Sequence, residues 1–131
     1  MEEQLKHYAE KLAYETDSWD LQVALDGGDN VVVIDARSPE AYARRRIPGA
    51  INLPHRTMSD ETTVGIDRAA LVVVYCDGIG CNASTKGALN MTRLGFRVKE
   101  LIGGLDWWRR DGHHIEENVT GAADGAACGC G

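Results

Sequence analysis

The sequence is short of several things. It has one phenylalanine, three prolines and four cysteines in 131 residues, and no apolar run approaches the roughly 20 residues that a membrane-spanning helix needs. Four cysteines in a chain without export features are expected to be mostly reduced, and they are read as chemistry first and staples second. Bases are also scarce, with 14 Lys and Arg against 20 Asp and Glu and a net charge of −6. Phosphate recognition needs a basic surface, so neither nucleic acid nor membrane is expected as a partner. The one dense basic run, Arg44-Arg45-Arg46, reads as a solvated helix end. The opening segment MEEQLKHYAEKLAYE carries acids where a secretory signal carries bases, so the expected location is cytoplasmic.

What is present is enough for a single core, since 44% of the residues are apolar and a chain of this length folds without crosslinks. Leu5, Tyr8 and Leu12 recur at helical spacing, which predicts an amphipathic helix over residues 1–16. Thr16, Asp17 and Ser18 offer N-caps for a helix from Trp19 to Leu25 that Gly27 and Gly28 end. Val31 to Ile34 and Leu71 to Tyr75 are β-branched runs without polar alternation, the mark of strands buried on both faces of a parallel sheet. Between them Ser38-Pro39 starts a helix, and Ile51 to Leu53 is a short strand after the Pro48-Gly49 turn. A helix from Ala83 to Leu94 stopped by Gly95, a strand from Val98 to Ile102 and a last helix from Leu105 to Arg110 complete the pattern. Alternating strands and helices predict an open α/β fold of about five mainly parallel strands with helices on both faces, over residues 17–118. Residues 119–131, rich in Gly and Ala with Cys128 and Cys130, read as a flexible tail.

Cys76 is the residue that carries chemistry. It ends the Leu71 to Tyr75 strand, and ligands of open α/β sheets bind beyond the carboxyl ends of strands. The loop that follows, Asp77, Gly78, Ile79, Gly80, Cys81 and Asn82, holds two glycines that let successive amides turn inward as an anion-binding nest. The next helix points its N-terminus at the same place. These features favour a thiolate and would also cradle a persulfide or an oxyanion.

Three segments together are specific. Val32 to Arg37 with Tyr42 and Ile47-Pro48-Gly49-Ala50-Ile51-Asn52-Leu53-Pro54 is the first, Val74-Tyr75-Cys76 with its loop is the second, and Leu101 to Trp108 is the third. The chain resembles a single-domain rhodanese, a sulfurtransferase. The resemblance implies a five-stranded parallel sheet and a loop cysteine, Cys76, that takes sulfane sulfur as a persulfide from thiosulfate or polysulfide. The persulfide then passes to a nucleophilic acceptor, a thiol or a cyanide-like molecule, or to a protein acceptor. It also implies that amides of residues 77–82 hold the outer sulfur and that Asp35 and Arg37 form a supporting ion pair. The sequence departs from the family at Arg46, where histidine is frequent, and in a loop that has Cys81 and Asn82 and no Lys or Arg.

Cys81 is read either as a second thiol that attacks a Cys76 persulfide or as a residue that packs at the helix start, and Cys128 and Cys130 read first as an inert or regulatory tail and second as a sulfur relay or soft-metal pair. With a single such pair and no neighbouring histidine a closed zinc site is not supported, so no metal and no cofactor is expected. Two other readings are carried: a rhodanese-like binding or redox-sensing module using Cys76 and Cys81, and an oxyanion-handling phosphatase or arsenate reductase. The second is disfavoured because such loops end in an arginine that clamps equatorial oxygens. His113 and His114 read as a solvated turn, and Trp107 and Trp108 as core.

Overall fold

The computed structural model describes residues 1–118. Helix α1 (Glu2–Tyr14) leads into strand β1 (Glu15–Thr16), helix α2 (Ser18–Asp26) and strand β2 (Val31–Asp35). Helix α3 (Pro39–Arg44), the two-residue strands β3 (Arg45–Arg46) and β4 (Ile51–Asn52) and a 3-10 turn (His55–Thr57) follow. The chain continues through β5 (Leu71–Tyr75), α4 (Ala83–Arg93), β6 (Arg97–Leu101), α5 (Gly104–Arg110) and β7 (Glu116–Glu117). Five strands form one sheet in the order β1-β6-β5-β2-β4, and every pairing within it is parallel. This is the open parallel sheet that the alternation of strand and helix patterns predicts.

Period two of the strands explains the layers. Along β5, Val73 and Tyr75 face a core with Leu21, Val33, Ile47, Leu101, Leu105 and Trp108. Val72 and Val74 face the other core, with Ile34, Ala36, Leu53, Met91 and Phe96. Helices α2 and α5 therefore cover one face and α4 the other. Helix α4 buries Ala83, Gly87 and Met91, one residue per turn. A Cβ on Gly87 would lie 3.0 Å from Val74 Cγ1 and 3.1 Å from Met58 Cε, so the glycine sets how closely the helix approaches the sheet.

Four sequence expectations are corrected. The Arg44-Arg45-Arg46 run does not end as a solvated helix tip: Arg45 and Arg46 leave the helix to pair antiparallel with β7, and Arg45 Nε lies 2.7 Å from Glu117 Oε1. The acids that fix this pairing are 70 residues further on, beyond the reach of local patterning. His113 is not a solvated turn residue, since its ring packs against Trp108 and Trp19 at centroid distances of 4.5 and 4.7 Å. Trp107 is 42% exposed, whereas Trp108 is core as expected. Helix α1 stops at Tyr14, short of the expected residues 1–16, because Glu15 and Thr16 pair with β6, and its Leu5, Tyr8 and Leu12 are exposed.

Because α4 has no space for a side chain at its midpoint, Gly87→Val is expected to lower stability by about 1–3 kcal/mol through overpacking, read as a lower urea midpoint with an unchanged m-value.

Candidate active site

Cys76 sits at the carboxyl end of β5, the middle strand of the sheet, and is 1% exposed. Helix α5 holds its backbone from behind: Leu105 N donates to the Cys76 carbonyl at 2.9 Å and Asp106 N to the Asp77 carbonyl at 2.8 Å. That approach requires Gly104. Its φ is +58°, and a Cβ there would collide with the Cys76 carbonyl oxygen and stand 2.8 Å from Gly78 N. The Gly103-Gly104 pair thus permits the backbone contact that fixes where the cysteine loop begins.

A charged network holds the loop from the side. Arg37 donates through Nε to Asp35 Oδ1 at 2.9 Å and through Nη2 to Asp35 Oδ2 at 2.7 Å. Its Nη1 reaches Asp77 Oδ1 at 2.9 Å. Asp35 also accepts from the Tyr75 hydroxyl at 2.8 Å, and that hydroxyl accepts from Ile47 N at 3.1 Å. Asp35, Arg37 and Tyr75 are all buried, and no buried side-chain nitrogen or oxygen among the described residues lacks a partner. The Arg37 guanidinium is held above its ordinary range: burial opposes its charge, and the bonds and field of Asp35 and then Asp77 outweigh that. Burial, reinforced by the Asp35 charge, pushes the Tyr75 phenol up. The Asp-x-Arg pair thus lies beside the loop and its network extends to Asp77.

At the sulfur the arrangement differs from a simple amide nest. Cys76 Sγ lies 3.2 Å from the Cys81 carbonyl oxygen, 3.3 Å from Ser84 Oγ and 4.0 Å from the Gly78 carbonyl oxygen. A thiol carries one hydrogen, so it can donate to only one of these oxygens at a time. Among the described residues, the amides of Gly78, Ile79, Gly80 and Asn82 donate to no protein acceptor. Helix α4 begins at Ala83 without a side-chain cap, so its first amides are open as well. The donors for an anion are present, while carbonyls cover the resting sulfur. Cys81 presents its carbonyl to Cys76, and its own sulfur is disulfide-bonded. Cys76 is the free cysteine of the described residues, and Cys128 and Cys130 lie outside them.

The sequence reading missed Ser84, Thr85 and Glu100. Ser84 Oγ donates to Glu100 Oε2 at 2.6 Å, and Thr85 Oγ1 donates to the same oxygen at 2.8 Å. Glu100 stands near the carboxyl end of β6, the position where parallel sheets collect functional groups, and that was the available signal. A cleft of about 500 Å³ opens above, lined by loop 78–82, Ser84, Thr85, Glu15 and Glu100. A smaller apolar cleft of about 320 Å³ adjoins it through Ile79, Ile102 and Gly103 and is walled by Trp107. No group of three or more metal-ligating side chains occurs among the described residues. No helix there is long and apolar enough to cross a membrane.

An open parallel sheet that presents one buried cysteine, a glycine loop and an uncapped helix at its central strand end defines an α/β domain with a cysteine-loop site. The chain belongs to the Rhodanese-like domain family, whose model matches residues 19–111. It is 34% identical over 83 residues to the thiosulfate sulfurtransferase GlpE of Pseudomonas entomophila, covering 62% of this chain and 72% of that one. It is 33% identical over 92 residues to the HTH-type transcriptional regulator Rv0324 of Mycobacterium tuberculosis, covering 68% of this chain and 39% of the regulator's length. Among solved structures, the BH2092 protein of Bacillus halodurans superposes with a TM-score of 0.85 at 40% identity, over 88% of this chain and 85% of that one.

Two outcomes follow from this geometry. Gly104→Ala is expected to cost about 1–2 kcal/mol from the left-handed backbone alone, with the collision at the Cys76 carbonyl adding to it; denaturant unfolding and Cys76 alkylation read both effects. The Tyr75 phenol is neutral in the fold at a pH where an unfolded tyrosine, near 10, ionises. Its stabilisation is therefore complete below pH about 10 and is lost as pH rises beyond. Unfolding curves between pH 8 and 12 should show this alkaline loss in the native protein and a smaller one in Tyr75→Phe.

Proposed function

We propose that the protein is a sulfurtransferase in which Cys76 carries sulfane sulfur as a persulfide, from a small donor such as thiosulfate or polysulfide to a nucleophilic acceptor. The observation that carries this reading is the free, buried Cys76 at the end of the central strand, followed by a loop in which the Gly78, Ile79, Gly80 and Asn82 amides have no protein acceptor among the described residues. A persulfide adds one anionic sulfur beyond Sγ, and peptide amides with a helix N-terminus are suited to hold it. For those amides to face the outer sulfur, the Gly78 and Cys81 carbonyls must turn away, a rearrangement that Gly78 and Gly80 make sterically inexpensive. The names of the GlpE relatives support the reaction class.

The acceptor is a thiol, a cyanide-like nucleophile or a protein, acting in the cytoplasm, with the domain over residues 17–118 as the reacting unit. The acidic net charge of −6 supports a site without nucleic acid or membrane partners. The loop has no arginine, and Arg37, the base nearest to it, is engaged by Asp35 and Asp77. That argues against phosphate-ester or arsenate chemistry, which calls for a cation on the equatorial oxygens.

Intact-mass measurement without reductant, after incubation with thiosulfate and separately with polysulfide, tests the proposal. One added sulfur that cyanide removes and that Cys76→Ser lacks is the expected result; no adduct from either donor overturns it.

A further inference from the structure

The resting sulfur is a thiol with carbonyls around it, yet nucleophilic attack needs the thiolate. Among the described residues, the ionisable side chains that line the cleft are Glu15 and Glu100, with no histidine, lysine or arginine. A base must therefore be sought among the acids. Glu100 Oε2 accepts the Ser84 hydroxyl proton at 2.6 Å. A carboxylate only accepts, so Ser84 Oγ has committed its single proton and turns a lone pair to Cys76 Sγ at 3.3 Å. The chain S–H to O–H to carboxylate thus runs in one direction, and Ser84 is 3% exposed, shielded from water that would scramble it.

We propose that Ser84 and Glu100 form the proton path of Cys76: the thiol proton passes to Ser84 Oγ as the Ser84 proton passes to Glu100. Ser84 is the catalytic residue, in contact with the reacting atom, and Glu100 is a positioning residue that acts through it. The transfer moves one negative charge from Glu100 to Cys76 Sγ and leaves the net charge of the pair unchanged, which avoids placing two anions in a site without a free base. With a persulfide donor R–S–S⁻, Sγ attacks the outer sulfur and the donor S–S bond breaks. The thiolate R–S⁻ then leaves and takes the proton back from Glu100 as R–SH. The product is Cys76–S–S⁻, and no external oxidant or reductant is consumed.

Few charged groups surround this path. Thr85 of α4 donates to Glu100 at 2.8 Å. Glu15 of β1 is its register partner and is bonded to Lys11 at 3.1 Å. Lys99, beside it on β6, gives its ammonium to the Leu12 carbonyl at 3.1 Å. Around the sulfur stand the Arg37 and Asp77 pair and, from α5, Asp106 with Arg110.

The proposal rests on Cys76 being the nucleophile, and its test reads the proton path without sulfur transfer, so the two readings fail separately. The rate of Cys76 alkylation by iodoacetamide, a neutral reagent, is measured from pH 5 to 9 in the native protein, Glu100→Gln, Ser84→Ala, Ser84→Thr and the Glu100→Gln/Ser84→Ala double variant. If Glu100 accepts the proton, Glu100→Gln alkylates about tenfold or more slowly at pH 6, the low end of what a positioned base contributes. If the carboxylate is structural only, removing a like charge favours the thiolate and the rate holds or rises. The opposite signs decide the matter. Ser84→Ala is expected to match Glu100→Gln, the double variant to lose no more than either, and Ser84→Thr to recover the rate. Equal or faster alkylation of Glu100→Gln at pH 6, or additive losses in the double variant, would overturn the path. Should Ser84→Ala not fold by circular dichroism, the near-isosteric Glu100→Gln decides alone.

Discussion

Arg37 is the interaction on which the site depends. One guanidinium joins the end of β2 through Asp35 and the start of the cysteine loop through Asp77. A third contact runs to the Arg45 carbonyl, where α3 gives way to β3. Asp35 in turn takes the Tyr75 hydroxyl, so the residue just before Cys76 is fixed by the same pair. Removing either partner of a buried ion pair leaves an uncompensated charge, typically a loss of about 3–5 kcal/mol. The pair thus ties the end of β2, the start of the cysteine loop and the α3–β3 junction to one guanidinium.

Legibility in the sequence followed interaction range. The β-branched runs 31–34 and 71–75 announce buried parallel strands because both faces of each must be apolar, and Ser38-Pro39 and Gly95 mark helix ends by backbone geometry alone. Cys76 and its glycine loop could be read for the same reason. The two-residue strand at Glu15–Thr16 carries no periodicity, and its pairing to β6 is dictated by the sheet. Arg45 and Arg46 were misread because Glu116 and Glu117 are far along the chain. Trp107 and Trp108 are adjacent and identical, so only the direction of α5 separates the one that seals the core from the one that walls a cleft. Which atoms of the loop face the sulfur depends on individual peptide orientations, and residue type does not encode those at a glycine.

The two sides of the cleft have contrasting chemistry. Open amides and the uncapped start of α4 draw negative charge in, while Glu15 and Glu100 repel it. The apolar cleft beside Ile79 and Trp107 adjoins this charged one.

The burial of Cys76 has one more consequence. A sulfur that is 1% exposed reacts only during the fraction of time in which its loop is open. The same fraction multiplies the rate of useful transfer and the rate of irreversible oxidation to sulfinic acid. Shielding alone therefore cannot favour one over the other.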